Sequence, residues 1–202
     1  MISNVNVYGL RESIIASSYP MRKTPMSEVE FSKECYEVLI DGNKKFQRAI
    51  QLAQTGSGEG HDNFLNGVIV QFDLTLPVKV WTELQRYHFI DFVSSMSTMH
   101  RLTQMDLTNT YDENVDERIV NVMMELQKEY EVNPTPENKL KLLMSNPNGC
   151  ELTARMTTNY RQLKTIYNQR KTHFLPQWKE FCKWVETLPY SKDLICFDRE
   201  VK

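Results

Sequence analysis

The sequence predicts an α+β protein, and three observations carry that prediction: one clear run of alternating polarity, a proline that turns it into a helix, and a second half dominated by helical periodicity. Val68, Val70, Phe72, Leu74 and Leu76 alternate with Ile69, Gln71, Asp73 and Thr75, the pattern of a half-buried strand. Pro77 follows where a helix can open, because its missing N–H and fixed φ suit a first turn. Val80, Trp81, Leu84 and Tyr87 then recur at helical spacing. Further helices are expected at 117–130, 136–144, 151–171 and 176–188, separated by Asn133-Pro134, Asn146-Pro147-Asn148-Gly149 and a connection at 172–175.

Ahead of the strand, Val5 and Val7 followed by Gly9 predict a shorter strand, and 11–18 reads as a brief helix ended before Pro20. Ser27, with Glu30 three residues on, is an N-cap for a helix reaching about Gln54 on the apolar positions Val29, Tyr36, Val38, Leu39, Phe46, Ile50 and Leu52, with Gly42 as a point of interruption. The run Thr55-Gly56-Ser57-Gly58-Glu59-Gly60 holds three of the seven glycines and is expected to be a flexible surface loop. Internal repeats and proline- or serine-rich linkers are absent, so residues 1–202 are expected to form one domain, long enough to bury a core without a metal or disulfides.

Several function classes fall away on composition. With 24 basic and 26 acidic residues the net charge is −2, so no global positive field exists to gather long nucleic acid. Cys35, Cys150, Cys182 and Cys196 form no CxxC pair, which argues against a zinc ribbon or a disulfide framework and suits a reducing cytoplasm. The four histidines, His61, His88, His100 and His173, show no HxxxH or HxH spacing, so no metal is expected. No segment reaches the ~18 apolar residues of a membrane span and residues 1–25 carry no apolar leader core, so the expected location is cytoplasmic.

Three constellations remain. Gly60-His61-Asp62-Asn63-Phe64-Leu65 sets an imidazole, a carboxylate and an amide beside glycine backbone, a layout for ligand capture; the plainer alternative is that Asp62 and Asn63 cap the turn and His61 is solvated. Residues 86–101 interleave Arg86, His88, His100 and Arg101 with Ser94, Ser95, Ser97 and Thr98 and with Tyr87, Phe89 and Phe92. Guanidiniums and hydroxyls can hold a phosphate while an aromatic ring stacks on a base; a helix continuing past Tyr87 with a polar face is the alternative. On the expected helix 151–171, about 100° per residue places Arg155, Asn159 and Arg170 in one sector and Arg161 opposite. Arg161 and Arg170 would therefore serve two pockets, or one shared between subunits; a solvated basic face including Lys164 and Lys171 is the alternative.

The order and spacing of these clusters resemble the flavin-dependent thymidylate synthases. Residues 60–65 look like that family's GHxSxxEH segment, with His61 on its histidine, and the strand, proline and helix to Arg86 follow. The signature RHRxxSxxExSxR falls at 86–98, where an ungapped alignment keeps only Arg86; moved by one residue it keeps His88 and Ser97 but meets Tyr87, Phe89 and Met99 at its arginine positions. Asn159-x-Arg161-x-Leu163 followed by Arg170 is similar to the family's NxRxL helix with its later nucleotide-binding arginine, and Gln177-Trp178 to its HAQWE ending. The Gly60–Gly67 and Thr98–Arg101 segments are also similar to those of small phage proteins with GHDNFLNG and TMHR sequences.

The resemblance implies a central antiparallel sheet with a helical second half, a homotetramer, and an intersubunit site where FAD and dUMP would lie. On that basis the expected nucleotide-binding residues are His61, Asn63, Arg86, His88, Ser94, Ser95, Ser97, His100, Arg101, Arg155, Asn159, Arg161 and Arg170. Fewer arginines than the family motif contains imply a less charged nucleotide and a protein that binds or sequesters it, with FAD-dependent methylation of a pyrimidine nucleotide or a host-interaction role as alternatives. Each lost charge-assisted hydrogen bond removes roughly 1.5–3 kcal/mol of anion binding. The implied partner is a nucleotide or flavin small molecule, with neither long nucleic acid nor membrane.

Overall fold

The structure, a computed structural model, describes residues 2–55 and 59–197. The centre of the expected flexible loop, Gly56-Ser57-Gly58, lies outside the described residues. Strand β1 (Ile2–Tyr8) leads through Gly9 into α1 (Leu10–Ala16); α2 (Glu28–Glu37) and α3 (Lys44–Ala53) follow. A 3-10 turn (Asn63–Gly67) precedes β2 (Ile69–Pro77), which runs into α4 (Val78–Leu84), β3 (Ile90–Ser95) and the single turn α5 (Thr98–Arg101). Next come α6 (Glu117–Val132), α7 (Pro136–Ser145), β4 (Glu151–Asn159), α8 (Tyr160–Arg170), α9 (Pro176–Glu186) and α10 (Ser191–Leu194).

The four strands form one antiparallel sheet in the order β1-β2-β4-β3, giving the α+β class expected from sequence. Its register is visible where Tyr160 N donates to Val68 O at 3.0 Å, and where the Thr75 and Thr153 hydroxyls meet at 2.8 Å. No described helix is long and apolar enough to cross a membrane.

Local chemistry accounts for most boundaries. Ser27 caps α2 by accepting from Glu30 N, as its spacing predicts, and the chain breaks at Gly42 (φ +78°) before Asn43 caps α3. Thr135 caps α7 with Pro136 in its first turn, and Pro176 opens α9. Pro77 is the N-cap of α4 instead of its first residue, a shift of one position.

One expectation is corrected and one alternative falls away. The helix anticipated at 151–171 is a strand up to Asn159 and a helix only from Tyr160. Leu152, Ala154, Met156 and Thr158 alternate with Thr153, Arg155 and Thr157, so the period is two and Arg155 shares no helical face with Arg170. The second half is accordingly less helical than expected. Residues 86–101 do not continue a helix: α4 stops at Leu84, and the chain turns through His88 and Phe89 into β3.

The described residues divide into two compact units. In one, Asp73–Tyr87 with Phe92–Met156, α6 packs along α7 around Leu102, Leu107, Met123 and Leu142, all at most 2% exposed. Gln127 Nε2 donates to the carbonyls of Leu102 and Met105 there, tying the turn after α5 to α6. In the other, Ile2–Phe72 with His88–Asp91 and Thr157–Lys202, one cluster gathers Ile14, Ile15, Val38, Phe46 and Ala49. Phe72 meets Trp184 at 4.5 Å between ring centroids, and Phe181 lies 5.2 Å from Trp184, so α9 covers that end of β2.

Candidate functional site

Within the unit that carries α8, the 3-10 turn at Asn63–Gly67 packs against that helix and a cleft of about 430 Å³ opens beside them. Asn66, Phe89, Asn159, Arg161, Asn168 and the Asp62–Lys164 pair give it its chemistry. Asn159 ends β4 and caps α8, its side-chain oxygen accepting from Gln162 N at 2.9 Å. The helix N-terminus, with its partial positive charge, is thus set at the cleft.

Beneath that cap lies a buried ionic cluster. Lys164 Nζ donates to Asp62 Oδ2 at 2.7 Å and to the carbonyl of Ala53 at 2.5 Å, and it lies 5.3 Å from the centre of the Phe197 ring. Asp62 Oδ1 faces Arg161 Nε at 3.2 Å. Lys164 is 3% exposed, so it is not part of the solvated basic face given as an alternative, and Asp62, 5% exposed, makes no side-chain cap to the turn, while His61 is exposed. A buried ion pair is sustained only when hydrogen bonds satisfy what remains of each charge, and Lys164 donates to both the Asp62 carboxylate and the Ala53 carbonyl. Tyr160, at the start of α8, donates its phenol to the carbonyl of Pro189 at 2.7 Å, and burial pushes that phenol up from its ordinary pKa.

Phe89 is the aromatic element. Its φ is +59°, a region costly for a bulky residue, and its side chain is 69% exposed at the cleft. The conformation is held on its C-terminal side: Thr158 Oγ1 donates to Phe89 O at 2.8 Å, and Ile90 directly after it is buried. The backbone therefore points a large ring at solvent beside amide groups, an arrangement suited to stacking on a planar ligand.

Of the residues expected from sequence, Asn159 and Arg161 line this cleft, and His61 and Asn63 flank Asp62 as exposed residues of the turn. His88 is exposed and precedes Phe89. Arg170, at the last turn of α8, stacks its guanidinium on the buried Trp178 ring at 4.5 Å, while His173 meets the same ring edge-on at 6.3 Å. Arg161 and Arg170 thus engage different partners, as the half-turn between them along one helix requires.

Arg86, Ser94, Ser95, Ser97, His100, Arg101 and Arg155 belong to the other unit. Arg155 Nη1 meets Asp73 Oδ1 at 3.2 Å across β4 and β2, while Ser94 and Ser95 are exposed on β3. Ser97 begins α5 without a side-chain capping bond, and His100 and Arg101 close it, both exposed. Sequence reasoning did not select Asp62 and Lys164 as site residues. They are 102 positions apart, and only the helical phase from Arg161 to Lys164, three residues on, places both cations toward one carboxylate. Among the described residues no cluster of histidine, cysteine and acidic side chains could hold a metal ion.

No family model and no curated protein matches the sequence. Solved structures do match. A crystal structure of the flavin-dependent thymidylate synthase ThyX from Helicobacter pylori, complexed with FAD and dUMP, superposes with a TM-score of 0.65 at 13% identity, covering 96% of this chain and 97% of that one. A second ThyX structure from the same organism, with FAD and dUMP, gives 0.67 at 14% identity with the same coverage. At this identity the likeness is one of fold, and across nearly its whole length the chain is similar in fold to the flavin-dependent thymidylate synthases.

Proposed function

We propose that this protein is a nucleotide-binding homo-oligomer that holds a pyrimidine nucleotide with a single phosphate, and that the Asp62–Arg161–Phe89 cleft is its binding site. The observation that carries the reading is the juxtaposition, in one cleft, of a guanidinium at a helix N-terminus with an exposed aromatic ring held at positive φ. A phosphate suits the first and a base the second. The fold likeness to proteins complexed with FAD and dUMP supports the ligand class.

The donor set argues for the smaller ligand. Arg161 and Lys164 face one carboxylate, Asp62, and only Arg161 reaches water, beside one helix N-terminus. A monophosphate and the diphosphate of FAD each carry about two negative charges near pH 7, but one guanidinium and one helix N-terminus offer donors for a single phosphate group and not for two in sequence. Tyr87, Phe89 and Met99, where the family signature carries arginines, fit the same conclusion. A second reading, FAD-dependent methylation of a pyrimidine nucleotide, is favoured by the extent of the fold match and requires cations from other copies, for which Arg86, Arg101, Arg155 and Arg170 are the candidates.

Oligomer formation is supported by β3. This outer strand is exposed from Asp91 to Ser95, with Phe92 44% and Val93 58% exposed, and Ser94, Ser95, Ser97, His100 and Arg101 lie on or just after it. A second copy covering that strand would bring hydroxyls and basic groups to an intersubunit site. The resemblance of Gly60–Gly67 and Thr98–Arg101 to segments of small phage proteins would set such a protein in an infected host's cytoplasm, sequestering or altering a nucleotide.

The test is direct. Titration calorimetry with dUMP, deoxyuridine and FAD is expected to show dUMP binding more tightly than deoxyuridine, and native mass spectrometry a homo-oligomer. A yellow protein releasing FAD would favour the second reading. Absence of binding to all three ligands would sink both.

A further inference from the structure

We infer that Asp62 is a positioning residue: clamped from below by buried Lys164, it holds Arg161 by Nε and so presents the terminal Nη pair of that arginine to the ligand's phosphate. The inference rests on the reading of the cleft as a nucleotide site and deepens it by assigning the group that fixes phosphate geometry.

The division of labour follows from which oxygen meets which nitrogen. Asp62 Oδ2 takes Lys164 Nζ at 2.7 Å, while Oδ1 faces Arg161 Nε at 3.2 Å. The carboxylate is only 7% exposed at its side chain and the ammonium 4%, so the lower pair is fixed. The Arg161 side chain, at 37%, reaches water. A guanidinium recognises a phosphate best through two parallel N–H bonds from one edge, and a carboxylate ion-paired at the Nε side leaves the edge formed by the two terminal nitrogens for that purpose. Lys164 has no such role: with Asp62, the Ala53 carbonyl and the Phe197 ring around it, its ammonium serves as an anchor.

Orientation and simple charge make different demands, and two double variants separate them. Asp62→Asn/Lys164→Met and Asp62→Ala/Lys164→Met both remove the buried ion pair and both leave Arg161 as the one cation, the same net charge as the native cleft. Only the first retains a polar oxygen to stand beside Arg161 Nε. Calorimetric Kd values for dUMP and deoxyuridine are measured on the native protein, both doubles and Arg161→Ala, with thermal denaturation as the check of folding.

The ratio of the two Kd values isolates the phosphate's contribution. The Asn-containing double is expected to keep that ratio within roughly threefold of native, and the Ala-containing double to lose roughly tenfold or more, matching Arg161→Ala. Deoxyuridine binding should change little in either. Equal ratios in the two doubles would overturn the positioning role while leaving the cleft assignment standing. An unchanged ratio in Arg161→Ala, or no dUMP binding by the native protein, would overturn the assignment of the cleft and this inference with it.

Discussion

Asp62→Ala strands a buried charge. In the native protein the Lys164 ammonium, 3% exposed, meets Asp62 at 2.7 Å, the Ala53 carbonyl at 2.5 Å and the Phe197 ring at 5.3 Å. Deleting the carboxylate leaves the carbonyl and the ring, neither of which carries a formal charge. Removing one partner of a buried pair costs about 3–5 kcal/mol, and a domain of this size loses about 2–4 °C of Tm per kcal/mol, so a fall of roughly 6–20 °C is expected. Lys164→Met should cost less, about 1.5–3 kcal/mol, because Asp62 keeps Arg161 as a partner and reaches solvent through it. The double Asp62→Asn/Lys164→Met should recover to within about 1 kcal/mol of native, since replacing both members of a buried pair is often neutral. Urea denaturation of these three variants together with the single Asp62→Asn closes the cycle. If Asp62→Ala costs less than about 1 kcal/mol, or the double sums the Asp62→Asn and Lys164→Met singles, the buried pair is not the coupled unit described above.

Three further outcomes are expected. Gly9→Ala should destabilise by more than about 2 kcal/mol in the same urea assay, because φ is +70° and a Cβ there would stand 2.5 Å from the carbonyl oxygen of Gly67; an unchanged midpoint would contradict the close approach of β1's end to the turn before β2. Phe89→Ala should leave stability within about 1 kcal/mol, since the ring is 69% exposed, while weakening dUMP binding by about 1–3 kcal/mol as the stacking surface is lost. Burial pushes the Cys182 thiol up to about 11, with Glu186 adding to it, and the Cys196 thiol up to about 12, again mainly by burial. The fold thus favours the protonated thiols; that stability is complete below the unfolded thiol value near pH 8.5 and drains away as pH rises through 11–12. Replacing both cysteines with alanine should flatten this alkaline decline in a pH series of denaturation curves, and an identical slope would refute the assignment.

How far the fold could be read depended on whether an element announces itself locally. β2 alternates cleanly because one face packs on Phe181 and Trp184, so its period was visible without coordinates. β4 carries the same alternation in Leu152, Ala154, Met156 and Thr158, but it runs into α8 with no proline or glycine between them, and the helical signal of 160–170 extended backwards over it. β3 offered no period at all, since all but Ile90 are exposed and a strand with two wet faces has no reason to alternate. Within the candidate site, helical spacing alone set Asn159 and Arg161 on opposite faces, wrongly because Asn159 ends a strand, and they were legible through the likeness of Asn159-x-Arg161-x-Leu163 to the NxRxL helix. Asp62 and Lys164 were not, because a buried lysine differs from a solvated one only by a partner 102 positions away, and linear spacing carries no trace of it. Phe89 was legible as an aromatic but not as a left-handed one: that conformation is accompanied by a hydrogen bond from the Thr158 hydroxyl, on a strand 69 residues further on.

The near-complete enclosure of Lys164 has a practical corollary. Acylating reagents attack free, water-exposed amines, and this one is walled off as long as the native contacts persist. Any label found on it therefore counts molecules in which the floor of the cleft has come apart, making a single side chain a clock for local opening in an otherwise intact protein.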